Sequence, residues 1–181
     1  MARGQKKEKK KLTPEEHLQN ALVPGEEWPY ELPEGWKWVR LGSVCEFIGG
    51  GTPSKSNPDY WNGDIPWASV KDIKGIFLED TKDHITRLGV QNSSTNICEP
   101  GDLLLITRIE PGKTAISKIR CAINQDLKIV KSDVNESYLN YYFQTFSKWF
   151  EEKASGSTVK GITIKNVEQM PFPLTSPEVQ E

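Results

Sequence analysis

Residues 46–67, EFIGGGTPSKSNPDYWNGDIPW, join a glycine-rich turn to a long polar loop that ends in aromatic residues. Gly49, Gly50 and Gly51 let the backbone take positive φ or approach another segment closely, which no residue with a Cβ does cheaply. Thr52, Ser54, Lys55, Ser56 and Asn57 then supply hydroxyl, amide and ammonium donors, while Pro53 and Pro58 stiffen the path. Tyr60, Trp61 and Trp67 add flat apolar surface. A loop this long inside a compact domain is usually functional or disordered, and this one holds too many aromatics for disorder. It reads as a binding loop.

Short apolar runs flank this loop on both sides. Trp36–Leu41 reads as a strand, and Val44–Ile48 as another short strand or a helical turn. Further on, Ile65–Val70, Gly101–Thr107, Ala115–Ile119, Ala122–Ile123 and Leu127–Val130 alternate with glycine, proline and polar turns. The expected fold is α+β, a twisted, mostly antiparallel sheet packed with helices. The clearest helix spans 133–154. Asp133 with Glu136 makes a capping-box pattern, Leu139, Tyr142, Phe143, Phe146 and Phe150 recur at helical spacing, and Gly156 closes the end. That aromatic stripe packs on the sheet, with Tyr141 and Trp149 partly off it. Near the N-terminus, Thr13-Pro-Glu-Glu16 starts a shorter helix that runs to about Leu22.

Several catalytic motifs are approached and missed. Gly49–Ser56 nearly spells the phosphate loop G-x-x-x-x-G-K-[ST], but Ser54 stands where the second glycine belongs and Pro53 removes a cradling amide. Glu110-Pro-Gly-Lys-Thr114 misses in the same way, with Thr107 in place of the first glycine. Phe47-Ile-Gly-Gly-Gly51 and Asn57-Pro-Asp-Tyr60 are similar to two elements of adenine methyltransferases, which there sit on separate strand ends and here share one loop. No H-E-x-x-H, G-x-S-x-G or paired Cys/His pattern occurs. Neither a catalytic nor a metal-binding residue is nominated.

A length of 181 residues suits one domain plus an extension. Six of the first eleven residues are Lys or Arg against one Glu, a net of +5, so the remaining chain carries −7 of the overall −2. A basic arm on a mildly acidic body leaves local clusters as the electrostatic signal for nucleic acid. Cys45, Cys98 and Cys121 form no disulfide framework or zinc spacing and suit a reducing compartment. His17 and His84 stand apart. With neither a signal peptide nor a membrane-length apolar run, the expected location is the cytoplasm.

Leu32-Pro-Glu-Gly-Trp36 followed by Val39-Arg-Leu-Gly42 resembles the start of a target recognition domain from the specificity subunit of type I restriction-modification enzymes. The resemblance continues through Gly49-Gly-Gly-Thr-Pro-Ser54, Asn57-Pro-x-Tyr-Trp61 and Gly63-Asp-Ile-Pro-Trp67. It extends to Gly101-Asp-Leu-Leu-Leu105, Thr107-Arg108, Gly112-Lys113, Asn124-Gln125, Ala154-Ser-Gly-Ser-Thr158 with Lys160, and Pro171-Phe-Pro-Leu174. Its order and spacing hold over about residues 31–181. Family members often continue N-Q-G-[FY], where this chain has Asp126-Leu127.

The resemblance implies a noncatalytic reader of double-stranded DNA. In this family the domain binds one half of a split target, and long helices act as a ruler and dock methylation subunits. Motor-nuclease subunits then join. S-adenosylmethionine, ATP and magnesium belong to those partners. On this reading residues 1–30 are a basic arm and short helix, 31–170 the recognition domain, and 171–181 the start of the connecting spacer helix. A homodimer of such half subunits stays open, as does a protein-interaction module that docks methyltransferase subunits without reading DNA.

Base reading needs fork donors or amides in a groove, with phosphate contacts around them. Arg108 follows an apolar strand and precedes a turn, so it emerges at a strand end, free for guanine or phosphate or paired with Glu110 or another nearby acid. Lys113 suits a phosphate. Lys55 with Thr52, Ser54 and Asn57 makes a second contact loop, and Ser157, Thr158 and Lys160 a third. Lys71 joins the candidates after the Ile65–Val70 run. Asn124 and Gln125 suit adenine edges or turn hydrogen bonds. Tyr60, Trp61 and Trp67 are more often loop anchors than stacking platforms.

Overall fold

The computed structural model describes residues 19–180, so the basic arm and the Thr13 helix start lie outside the described residues. The strands are β1 (Lys37–Arg40), β2 (Cys45–Gly49), β3 (Trp61–Ala68), β4 (Phe77–Leu78), β5 (Asp83–Ile85), β6 (Ile97–Cys98), β7 (Leu103–Ile106), β8 (Thr114–Ser117), β9 (Cys121–Ile123), β10 (Leu127–Ser132) and β11 (Pro171–Leu174). The helices described from end to end are α1 (Arg87–Gln91), α2 (Glu136–Thr145), α3 (Ser147–Lys153), α4 (Ile164–Glu168) and α5 (Pro177–Gln180).

In place of one expected sheet the described residues form three, ordered β2-β10-β7-β8-β4, β5-β3-β9-β6 and β1-β11. Pairing is antiparallel except for β3 with β9 and β4 with β8. The layering follows from Leu103–Ile106, buried at all four positions. Successive strand side chains point to opposite faces. Leu103 and Leu105 therefore join the core built with Tyr142, Phe143 and Phe150. Leu104 and Ile106 join a second core with Cys98, Cys121 and Ile123 of the four-stranded sheet. Thus β7 runs between two apolar layers, helices on one side and the other sheet beyond. Fully burying each leucine contributes roughly 1.5–3 kcal/mol.

The helical stripe packs on this sheet as its periodicity requires, but the helix is broken. Asn135, not Asp133, caps α2, its Oδ1 accepting from Ser137 N at 2.9 Å and Tyr138 N at 3.1 Å. Thr145 Oγ1 turns back to donate to the Tyr142 carbonyl at 2.8 Å, a competing bond at the point where α2 gives way to α3. The second helix ends at Lys153 rather than at Gly156. Gly156 sits in the next loop at φ +118°, where a Cβ would lie 2.2 Å from the Val159 carbonyl oxygen.

The expected spacer start at residue 171 also shifts. Pro171–Leu174 pairs antiparallel with Arg40–Lys37 as an edge strand, a place prolines tolerate. Phe172 is fully buried there, which ties this strand to the body. Helix resumes only at Pro177, where Gln180 reaches back to Asn135 N at 3.1 Å and the Thr175 carbonyl at 2.9 Å.

Candidate nucleic-acid interface

Register brings distant loops to one sheet edge. Lys128 on β10 is level with Gly49 at the end of β2, Leu127 with Ile106 at the end of β7, and Leu105 with Thr114 at the start of β8. In the neighbouring sheet Ala68, ending β3, is level with Ile123, ending β9. Loops 50–57, 69–76, 107–113 and 124–126 therefore leave the body side by side.

The 50–57 loop is anchored rather than free. An added Cβ on Gly50 would stand 2.2 Å from the Asn124 carbonyl oxygen and 2.4 Å from that of Ile123, so only glycine lets the two loops touch. Trp67 Nε1 donates to the Gly51 carbonyl and Trp61 Nε1 to that of Ser54, each at 3.1 Å. Their rings meet edge-on at 5.2 Å, so these aromatics are anchors, as their composition suggested. Asn57 is committed too: its Oδ1 accepts from Asp59 N and caps the 3-10 turn Pro58–Tyr60.

The 107–113 loop is held from both flanks. Thr107 donates its N–H and its hydroxyl to the Asp126 carbonyl at 2.8 and 3.1 Å. Ile109 N donates to the Lys160 carbonyl at 2.8 Å, and Arg108 bridges Gly161, which joins loop 155–161 to the rim. Ile109 has φ +75° and is exposed, a strained conformation for a β-branched residue beside a candidate contact.

The candidates fall into two neighbouring groups. Thr52, Lys55, Lys71, Asn124 and Gln125 line an open cleft of about 430 Å³ together with Asp83 and Asp126. Lys113 and Lys160 line a second of about 480 Å³ with Glu110, Phe143 and Glu151. Arg108 stands between them, ion-paired not with Glu110 but with Asp126 Oδ1 at 3.2 Å. Lys113 takes Glu110 instead, at 2.6 Å, and Lys71 pairs with Asp83 at 2.5 Å, a bond that raises the lysine's pKa. Ser54 and Ser56 share a hydroxyl bond of 2.8 Å on the exposed loop. Ser157, Thr158 and Lys160 are all exposed.

Asn124 and Gln125 are not free readers. Asn124 is buried, and its Nδ2 donates to Asp126 Oδ2 at 3.0 Å. Gln125 Nε2 donates to the same oxygen at 3.2 Å, while its Oε1 accepts from Thr52 Oγ1. Two residues of the rim, Asp126 and Lys128, were not among the sequence's site candidates. Asp126 organises the turn. Lys128 donates to the carbonyls of Gln125 at 2.9 Å and Leu127 at 3.2 Å. Burial lowers the Lys128 pKa, Asp126 opposes that shift, and Arg108 adds to it. A lone lysine inside the apolar run Leu127–Val130 was the available signal.

The chain is thus a layered α+β domain that presents polar and basic loops from one sheet edge. Residues 33–181 match the Type I restriction modification DNA specificity domain, and the chain belongs to that family. It is 35% identical over 161 residues to the type I restriction enzyme MjaIX specificity subunit of Methanocaldococcus jannaschii, covering 83% of this chain and 37% of that protein. Against the EcoR124I/EcoR124II specificity subunit of Escherichia coli it is 30% identical over 156 residues, covering 80% and 38%. A solved chain from "Structural basis underlying complex assembly and conformational transition of the type I R-M system" superposes with a TM-score of 0.67 at 28% identity, over 85% of this chain and 37% of that one. The chain therefore spans well under half the length of these relatives.

Proposed function

We infer that the chain is a noncatalytic target recognition domain that reads one half of a bipartite DNA sequence for a type I restriction-modification complex. The observation that carries this is the convergence of loops 50–57, 107–113, 124–126 and 155–161 on one rim, with Lys55, Arg108 and Lys160 exposed along it. Side chains from four separate parts of the chain meet there. The loops carry cations and hydroxyls, the chemistry of phosphate contact, with one guanidinium at their centre. Methylation and motor-nuclease subunits are the protein partners in this reading, and S-adenosylmethionine, ATP and magnesium belong to them. The complex works in the cytoplasm. Among the described residues no helix is long and apolar enough to cross a membrane, and no His/Cys/Asp/Glu group has the arrangement to hold a metal.

Selection from a random duplex pool, with the methylation subunit added, tests the reading. Enrichment of a short motif is the expected result, and a spaced palindrome would add that two copies pair. A folded chain that enriches nothing in the partner's presence overturns DNA reading.

A further inference from the structure

Asp126 is buried, yet its Oδ1 has no hydrogen-bond partner. Its other oxygen is saturated by the amides of Asn124 and Gln125, and its own N–H donates to Asn124 Oδ1 at 3.0 Å. The carboxylate is thus fixed by its own turn, with one oxygen left facing Arg108 Nη1 at 3.2 Å. The Arg108 side chain remains 52% exposed. Below it, Gly161 leaves the stem room, since a Cβ there would come within 3.3 Å of Arg108 Cγ. The guanidinium thus has a carboxylate fixed behind it at ion-pair distance and a glycine floor beneath its stem.

We propose that Asp126 is a positioning residue that reserves Arg108 for the O6 and N7 edge of a guanine and keeps it from the phosphate backbone. This deepens the DNA-reading assignment and rests on it. A guanine edge is neutral overall and offers two acceptors to the guanidinium fork. A phosphate brought to the same fork would also approach the Asp126 carboxylate, and like charges at short range repel. The carboxylate therefore discriminates against the sequence-independent ligand as well as orienting the specific one. Asn124 and Gln125 serve the reading at one remove, through Asp126, which accounts for two amides that donate to a carboxylate rather than stand free at the rim.

The test compares wild type, Asp126→Asn, Arg108→Lys and Arg108→Ala on the duplex enriched from the pool and on a scrambled duplex of equal length, across a salt series. With Asp126→Asn, discrimination between the duplexes falls by on the order of tenfold. Affinity for the scrambled duplex rises, and its salt slope steepens by about 0.9 as the released arginine takes a phosphate. Arg108→Lys keeps the charge but loses the fork, so it loses the same discrimination at one G·C pair. If Asp126→Asn fails to fold, Asp126→Glu carries the test: it keeps the charge but displaces it from Arg108, so discrimination should fall with no gain of affinity for the scrambled duplex, and unchanged discrimination overturns the positioning role. A loss equal on both duplexes, or none, in a folded variant overturns the positioning role while DNA reading stands. A wild type that does not tell the duplexes apart removes both.

Discussion

Tyr142 Oη donates to the Pro171 carbonyl at 2.5 Å, and one turn earlier Tyr138 Oη donates to that of Pro173 at 2.6 Å. Two phenols on α2 thus hold β11 against the body, with Phe172 packed between their rings. Both bonds require protonated tyrosine. Burial raises Tyr142 well above the ordinary phenol value and Tyr138 to about 12, with neighbouring Tyr30 adding to each. Burial also raises the Cys45 thiol to about 11. Each group binds its proton more tightly folded than unfolded. Its contribution is complete below the unfolded value, about 9 for the thiol and about 10 for the phenols, and is lost as pH climbs through the folded one. Urea unfolding should therefore show stability falling from about pH 9 upward. Tyr142→Phe should cost about 1 kcal/mol at neutral pH and flatten the alkaline limb. A limb unchanged in that variant would remove Tyr142 from the account.

Gly49 and Gly50 are neighbours in sequence with opposite tolerances. An added Cβ on Gly49 meets only Lys128 Nζ at 3.9 Å, whereas one on Gly50 meets two backbone carbonyl oxygens. Gly49→Ala should leave stability within about 1 kcal/mol of wild type. Gly50→Ala should cost about 1–3 kcal/mol, the range for forced overpacking, and separate loop 50–57 from the 124–126 turn. Chemical denaturation of both variants, with DNA selection on whichever folds, checks the contrast.

The sequence exposed the fold's class and much of its strand content, because Leu103–Ile106 and Leu127–Val130 are apolar enough to mark buried strands unaided. The strands Phe77–Leu78, Asp83–Ile85 and Ile97–Cys98 escaped it, being two or three residues long and set by pairing with distant partners. The rim was legible as separate loops. Which loops lie beside which was not, since that depends on register between strands. Asp126 escaped for a related reason: an acidic residue is a poor DNA ligand, and its value lies in the arginine it faces across the rim.

Thr114 Oγ1 donates to Asn140 Oδ1 at 2.6 Å, both side chains buried where α2 crosses β8. Thr114→Val keeps the shape but leaves the amide oxygen unpaired, so it should destabilise by about 1–3 kcal/mol. Combining it with Asn140→Leu should cost less than the two single changes added together, because the second change removes the orphaned partner. Strict additivity in urea titrations would mean the bond contributes nothing.

The four candidate lysines of the rim separate by partner. Lys71 and Lys113 already hold Asp83 and Glu110, while Lys55 and Lys160 have no ion-pair partner among the described residues. A lysine that neutralises a phosphate releases counterions, and each such contact contributes about 0.9 to the salt slope. Lys55→Ala and Lys160→Ala should each flatten the slope by about that amount and weaken every duplex alike, leaving the selected motif unchanged. Deleting a whole pair, Lys113→Ala with Glu110→Ala, removes no net charge and should leave the slope near its wild-type value. Affinity measured on the selected and scrambled duplexes at several salt concentrations reads both outcomes. A motif altered by Lys160→Ala would move that residue from the phosphate backbone to a base edge.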